Sequence, residues 1–185
     1  FLYLFPVFIS YLLYLYFNYF NQDCVYLFPG GFVSFWYHYF LINKNFILNN
    51  EIICASASCL AVIAKITYPN LDNLLKLCFS MQNDYLYDNK TIKDINQKFI
   101  KNIIKNINIK KYSIKILVST QYGFCKYINP KNLEELYNYL IYTTYISLIT
   151  GNKLSLYYDG AFCFMNYPKC KKFYIFPLNY FYISN

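Results

Sequence analysis

The sequence has no arginine, a single histidine (His38), five glycines and one tryptophan, and only 14% of its 185 residues are charged. Without arginine there is no guanidinium fork for bidentate contacts to a base edge or a phosphate. One imidazole excludes a His-rich metal cluster and any mechanism that uses two. No two cysteines have the CxxC spacing of a structural zinc or thioredoxin-like site, and no acidic cluster has the EF-hand spacing that holds calcium. No metal and no cofactor is therefore expected. The seven cysteines (Cys24, Cys54, Cys59, Cys78, Cys125, Cys163 and Cys170) are an odd set, read mainly as buried thiols.

What is present is apolar. At 57% hydrophobic residues the chain can bury one sizeable core, is too short for two ordinary domains, and does not have the composition of a disordered tail. Seventeen lysines against nine acidic residues give a formal charge of +8, alongside 24 tyrosines and an excess of Asn, Ile and Phe. AT-rich codons produce this vocabulary without selection for binding, so the lysines are weak evidence for a nucleic-acid surface. The charge does favour attraction to anionic membranes.

Residues 1–20 carry no charge, and as a helix they would span roughly the 30 Å of a bilayer's hydrocarbon. Pro6, Ser10, Asn18 and five tyrosines interrupt the stretch, and no lysine precedes Lys44 to set an orientation. Two readings stay open for residues 1–21: a membrane anchor, or a buried or unstructured leader. The sequence opens on Phe1 rather than methionine, so no targeting signal is read from its start.

From Cys24 onward the pattern is that of an α/β domain, assigned to residues 22–185. The apolar run Cys24–Phe28 reads as a strand stopped by Pro29-Gly30-Gly31, followed by a helix over about Ser34–Leu41 and turn chemistry at Asn43, Asn45, Asn49 and Asn50. Ile52 and Ile53 lead a second strand into Cys54-Ala55-Ser56-Ala57-Ser58, then a tightly packed helix. Residues 69–108 read as helices, with Ile92, Ile95, Phe99, Ile103 and Ile107 on one stripe. Ile114–Val118 reads as a strand, Leu133–Leu148 as a helix, and Leu154–Tyr158 as a strand ending at Asp159-Gly160. Such alternation implies a mostly parallel sheet covered on both faces, with functional groups at the carboxyl ends of its strands.

Three strand ends carry residues that acyl transfer would use: Gly30-Gly31, Ser56 and Asp159-Gly160. A serine on a tight strand-to-helix turn sits at the helix N-terminus, where free N–H groups and the dipole favour developing negative charge. That is the nucleophile-elbow arrangement, usually G-x-S-x-G, here with Cys54 and Ser58 at the glycine positions. Taken singly, Ser56 reads as a helix cap and Asp159 as a turn cap, and it is their combination that points to acyl transfer. In hydrolases with this elbow the histidine comes after the serine and the acid, whereas His38 precedes Ser56, so a triad of that order is excluded. The remaining base is Asp159 acting directly on the serine. His38, beside Trp36 and Tyr37, reads as a hydrogen-bonded structural histidine.

In order, Phe28-Pro-Gly-Gly-Phe32 with Trp36-Tyr37-His38, Ile53-Cys-Ala-Ser-Ala-Ser-Cys-Leu60, and Tyr158-Asp-Gly-Ala161 resemble the patatin-like phospholipase domain, with its G-G-G-x-[RK]-G turn, G-x-S-x-G elbow and D-G-[GA] aspartate. The resemblance covers roughly residues 22–170. It implies a three-layer α/β/α fold with a mostly parallel central sheet, and a metal-free Ser-Asp dyad that hydrolyses acyl esters of phospholipids or acyl-glycerols. Carried over by position, Ser56 is the nucleophile, Asp159 the base, and the N–H groups of Gly30, Gly31 and Phe32 the oxyanion donors. Pro29, Val33 and Ser34 depart from the first glycine, the basic residue and the last glycine of the turn. Asn166-Tyr167-Pro168 resembles a downstream Asn-x-Pro element. Proline has no N–H, and loss of one oxyanion donor typically costs roughly 100- to 1000-fold in rate.

The rival expectation is a catalytically inactive relative that binds membranes. Nucleic acid is not an expected partner: Lys90, Lys93, Lys98, Lys101, Lys105, Lys110 and Lys111 alternate with a helical apolar stripe and read as a solvated face. Membrane association, with residues 1–20 as the candidate anchor, is the expected location.

Overall fold

A computed structural model describes residues 22–29, 31–146, 157–162, 170–174 and 181–182. Gly30, residues 1–21, Leu148, Leu154, Cys163 and Asn166–Pro168, all of which enter the expectations above, lie outside them. The described chain is a mixed α/β structure. In order it runs β1 (Gln22–Leu27), α1 (Gly31–Leu41), α2 (Lys44–Asn49), β2 (Glu51–Ala55), α3 (Ala57–Thr67), α4 (Leu71–Tyr87) and α5 (Ile92–Ile104). It continues through β3 (Ile114–Thr120), β4 (Cys125–Ile128), α6 (Leu133–Thr143), β5 (Tyr157–Tyr158), β6 (Cys170–Tyr174) and β7 (Phe181–Tyr182). Short 3-10 turns occupy Ile109–Lys111 and Gly160–Phe162.

The sheet order is β4-β3-β2-β1-β6-β7, with β5 against β3. The four central strands β3, β2, β1 and β6 are parallel, and β4, β5 and β7 are antiparallel to their partners. Of the central strands, β2 and β3 are nearly continuous apolar runs because both their faces are largely buried, as central parallel strands require. The larger core cluster joins Val25, Leu27, Ile52, Cys54, Ile116 and Val118 to the buried residues of α1, α3, α5 and α6. A smaller cluster on the other face holds Cys24, Tyr26, Ile53, Ala55, Leu117 and Cys170. Alternate residues of one strand enter the two clusters, the period-two signature of a strand.

α5 shows how the middle of the chain is patterned. Thr91 and Asp94 form a reciprocal capping box at its start. Ile100, Ile103 and Ile104 are buried, while Lys98, Lys101 and Lys105 are exposed. Ile92, expected on the apolar stripe, is exposed instead because it sits in the first turn, beyond the edge of the core.

Three local expectations change. The asparagine-rich stretch after Leu41 is a helix, α2, because Asn43 caps it through the Phe46 N–H and Asn50 closes it by donating to the Phe46 carbonyl. The first helix begins at Gly31 rather than near Ser34, since Gly31 takes φ +65° and lets the chain enter the helix directly. The cysteines are not mainly thiols: Cys24 joins Cys170 across adjacent strands, and Cys54 joins Cys59 across the β2–α3 turn.

The end of β5 sets where Asp159 and Gly160 stand. β2 leaves the sheet after Ala55, which pairs with Leu117, and β5 takes up the vacated edge of β3 with Tyr158 opposite Ser119. The two strands therefore meet head-on in one track. At that meeting a Cβ on Gly160 would stand 2.4 Å from the Leu117 carbonyl oxygen and 2.9 Å from the Ala55 Cβ. Only glycine fits, and because one obstacle is sheet backbone, nothing yields cheaply. Gly160→Ala is expected to destabilise the fold by roughly 1–3 kcal/mol, read as a lower denaturation midpoint at unchanged m-value.

Candidate active site

The strands β1 and β2 are parallel neighbours with Leu27 opposite Cys54, so the turns that follow them leave the same edge of the sheet. Ser56 is the turn residue after β2 and precedes α3. Its backbone is at φ 55°, ψ −133°, a region that non-glycine residues rarely adopt. Such a conformation costs about 1–3 kcal/mol and persists only where the surroundings over-determine it. Hydrogen bonds through Thr143 and Ser58 contribute to this here. The Ser56 N–H donates to Thr143 Oγ1 at 2.8 Å, and that hydroxyl in turn donates to the Leu117 carbonyl at 2.6 Å. On the other side of the turn, Ser58 Oγ accepts from the Ala55 N–H at 3.0 Å, with the Leu27 and Ala55 carbonyls as acceptors at 2.8 and 2.7 Å for its single hydrogen.

With its backbone held, the Ser56 side chain does not cap α3. It donates instead to Asp159 Oδ2 at 2.6 Å, a buried bond between residues 103 positions apart. A short O–H···O⁻ contact of this kind is a charge-assisted hydrogen bond. The other carboxylate oxygen, Oδ1, accepts from the Ala161 N–H at 2.8 Å. The Asp159 backbone is tied on both sides, its N–H to the Tyr145 carbonyl and its carbonyl to the Phe162 N–H. Burial pushes the Asp159 pKa up to about 6, and the Ser56 and Ala161 hydrogen bonds oppose that rise. No ion pair to Asp159 occurs among the described residues. The carboxylate is thus largely ionised near neutral pH, with its charge held, among the described residues, by two hydrogen bonds.

The other expected residues fall as follows. Gly31 and Phe32 open α1, so their N–H groups belong to a first turn with no preceding helical carbonyl to bond. Gly30, the third expected oxyanion donor, lies outside the described residues. The Phe28 carbonyl just before this turn accepts from Ser34 Oγ and from His38 Nε2, both at 3.0 Å. His38 is fully buried, and burial takes its pKa down to about 4, so the ring is neutral with its proton on Nε2. Its role is structural, as read from chain order. Ser34, at the last glycine position of the turn, therefore does work that glycine could not.

Sequence reasoning missed Thr143, Ser58 and the Cys54–Cys59 bridge. Thr143 is the last residue of a helix 87 positions from Ser56, and nothing in its neighbourhood marks it. Ser58 reads as a small glycine substitute, while its hydroxyl is what the turn uses. No group of three or more His, Cys, Asp or Glu side chains placed to hold a metal occurs among the described residues.

The strain at Ser56 makes a direct prediction. Glycine relaxes a positive φ that alanine does not, so Ser56→Gly is expected to be more stable than Ser56→Ala by roughly 1 kcal/mol in chemical denaturation. Comparisons of the chain with models of protein families, with curated proteins and with solved structures gave no match, so its function is argued from the Ser56–Asp159 geometry.

Proposed function

We propose that the protein is a serine acyl-ester hydrolase acting on lipid esters through a Ser56–Asp159 dyad, in the manner of the patatin-like domain that its motifs resemble. The observation that carries this reading is the buried 2.6 Å hydrogen bond from a serine at positive φ, at a helix N-terminus, to a carboxylate whose pKa lies near 6. With it goes the finer reading of the fold as three-layer α/β/α, in which a further layer would cover the smaller cluster of Tyr26, Ile53, Ala55 and Leu117, while the buried residues of the described helices join the larger one.

In this mechanism Asp159 Oδ2 takes the Ser56 proton as Oγ attacks the ester carbonyl. Negative charge develops on the carbonyl oxygen, and the N–H groups at the start of α1 and α3 are the donors to meet it. The tetrahedral species collapses with cleavage of the ester C–O bond, and the proton held by Asp159 passes to the departing alkoxide. Water then repeats the sequence on the acyl-serine: Asp159 accepts its proton, the acid product leaves, and Ser56 regains its hydrogen. Asp159 is at once base and acid, so a second titrating side chain is unnecessary.

An apolar substrate fits what surrounds the dyad. Phe162, three residues after Asp159, is exposed, and its carbonyl accepts from Ser119 Oγ at the end of β3. Tyr122 and Phe124, on the turn that leaves the same end of β3, are exposed as well. These rings suit acyl chains or a lipid surface. No described helix is long and apolar enough to cross a membrane; residues 1–20 remain the proposed anchor.

Fluorophosphonate labelling and ester hydrolysis by the full chain test this. Ser56→Ala is expected to abolish labelling, and Asp159→Asn to lower turnover by at least about 100-fold. Activity is expected to rise with pH through about 6 as Asp159 ionises. The stability linkage runs the other way. Asp159 is buried with its folded pKa above the ordinary aspartate value of 3.8, so the stability it contributes is full below 3.8 and is lost as pH rises through about 6. Asp159→Asn is accordingly expected to gain stability over wild type above pH 6 while losing activity. A folded protein that binds lipid vesicles but neither labels nor hydrolyses short- or long-chain esters would mark the inactive membrane-binding relative instead.

A further inference from the structure

The nucleophile turn holds a non-glycine residue at positive φ and has neither flanking glycine, so something beyond its two hydrogen-bonded ties must fix it. Cys54 is the penultimate residue of β2 and Cys59 lies in the first turn of α3, and the two are joined by a disulfide with Cα atoms 4.9 Å apart. The bridge closes a ring over residues 54–59 with Ser56 at its centre. Both cysteines are fully buried in the larger core cluster, between β2 and the helices.

We propose that the Cys54–Cys59 disulfide is a positioning staple for the nucleophile: it holds the end of β2 against the start of α3, so that Ser56 stays at its strained backbone angles with Oγ aimed at Asp159. This rests on the reading of Ser56 as nucleophile. The physical argument is that a strained conformation survives only while the chain on both sides is prevented from relaxing. At Ser56 the relaxation available is for α3 to start earlier or later, or to swing away from β2. A covalent link from two residues before the serine to three residues after it blocks each of these. The Thr143 and Ser58 contacts are single hydrogen bonds and can break one at a time, whereas the sulfur bridge cannot open without chemistry. It also packs apolar sulfur where a glycine would leave space, which adds buried contact beneath the turn.

The second bridge, Cys24–Cys170, supplies the control. It joins the neighbouring strands β1 and β6 and has no part in the turn. Loss of either bridge lowers overall stability, but only loss of the Cys54–Cys59 bridge should slow chemistry in protein that is still folded.

The test uses the full chain and three readouts: the fluorophosphonate labelling rate, kcat against KM for a soluble ester, and amide hydrogen exchange over residues 54–60. Cys54→Ala/Cys59→Ala is expected to label at least tenfold more slowly and to lose kcat with KM little changed, with faster exchange confined to the turn. Cys24→Ala/Cys170→Ala is expected to melt earlier yet label at the wild-type rate when folded. Should the first variant fail to fold, the Cys24→Ala/Cys170→Ala variant before and after reduction by a dithiol gives the same comparison, since it keeps the Cys54–Cys59 bridge but not the control bridge. In that reduction one thiolate attacks a sulfur of the bridge, and the second closes the dithiol's own ring, releasing Cys54 and Cys59 as thiols. Alkylation of the denatured, unreduced chain must leave Cys54 and Cys59 unmodified. If it modifies them, or if both double variants lose labelling and turn protection equally, the staple is refuted. Should oxidised wild-type protein not label at all, the hydrolase reading fails, and the exchange at residues 54–60 still decides whether the bridge fixes the turn.

Discussion

The structure around the dyad depends on one constraint: two strands share a single track in the sheet and must stop where they meet. β2 arrives from one side and β5 from the other, both along the edge of β3. A chain that ends a strand this way has no room to continue, so β2 turns sharply into α3 at Ser56 and β5 turns into the 3-10 segment at Gly160. The hydrogen bond between Ser56 and Asp159 lies across this junction. Gly160 makes the junction possible, because any side chain there would run into the β3 backbone. The positive φ at Ser56 and the buried carboxylate of Asp159 stand side by side at this junction.

The elbow solves with polar and sulfur-bearing side chains a problem that glycine solves by omission. Glycine at positions 54 and 58 would give the turn freedom and space. Cys54 and Ser58 remove both, and each is used. The Ser58 hydroxyl ties the Ala55 N–H and reaches the carbonyls of β1 and β2, which locks the elbow to the neighbouring strand. Thr143, arriving from the end of α6, supplies the acceptor for the Ser56 N–H and anchors it to β3. Three elements thus hold one residue, which is what a backbone in a sparsely populated region requires.

Much of this was legible in the residues. The apolar runs of β1, β2 and β3 are short, β-branched and bounded by turn residues, so their existence and the alternation with helices could be read directly. Ser56 and Asp159 stood out because each lies at the end of such a run. What was hidden depends on tertiary neighbours. β4 is invisible because Lys126 and Tyr127 are exposed on a hairpin edge and break the apolar pattern. α2 was hidden because asparagine is both a turn residue and a helix cap, and only the Asn43–Phe46 contact distinguishes the two uses. The Cys24–Cys170 bridge spans 146 positions and follows from the β1–β6 pairing, which no local pattern announces. The Cys54–Cys59 bridge needs the sharp turn at Ser56 to bring its ends together, since an extended chain would hold them far apart.

Burial assigns the two candidate proton carriers their separate tasks. It acts on both in the same sense, favouring the neutral form, and therefore moves their pKa values in opposite directions. His38 falls to about 4 and stays neutral across the physiological range, where its Nε2 proton is committed to the Phe28 carbonyl. Asp159 rises to about 6, so its carboxylate is charged at neutral pH yet more basic than an ordinary aspartate. A carboxylate near its ordinary pKa would be a weaker acceptor for a serine proton, and His38, whose Nε2 is bonded to the Phe28 carbonyl, makes no hydrogen bond to Ser56, whose Oγ donates to Asp159. The same exclusion of water that makes the charge on Asp159 costly raises its proton affinity, which is what the proposed role of base would draw on. In the proposed hydrolase the proton would therefore pass to a single carboxylate, and how deeply the strand junction buries Asp159 sets its pKa.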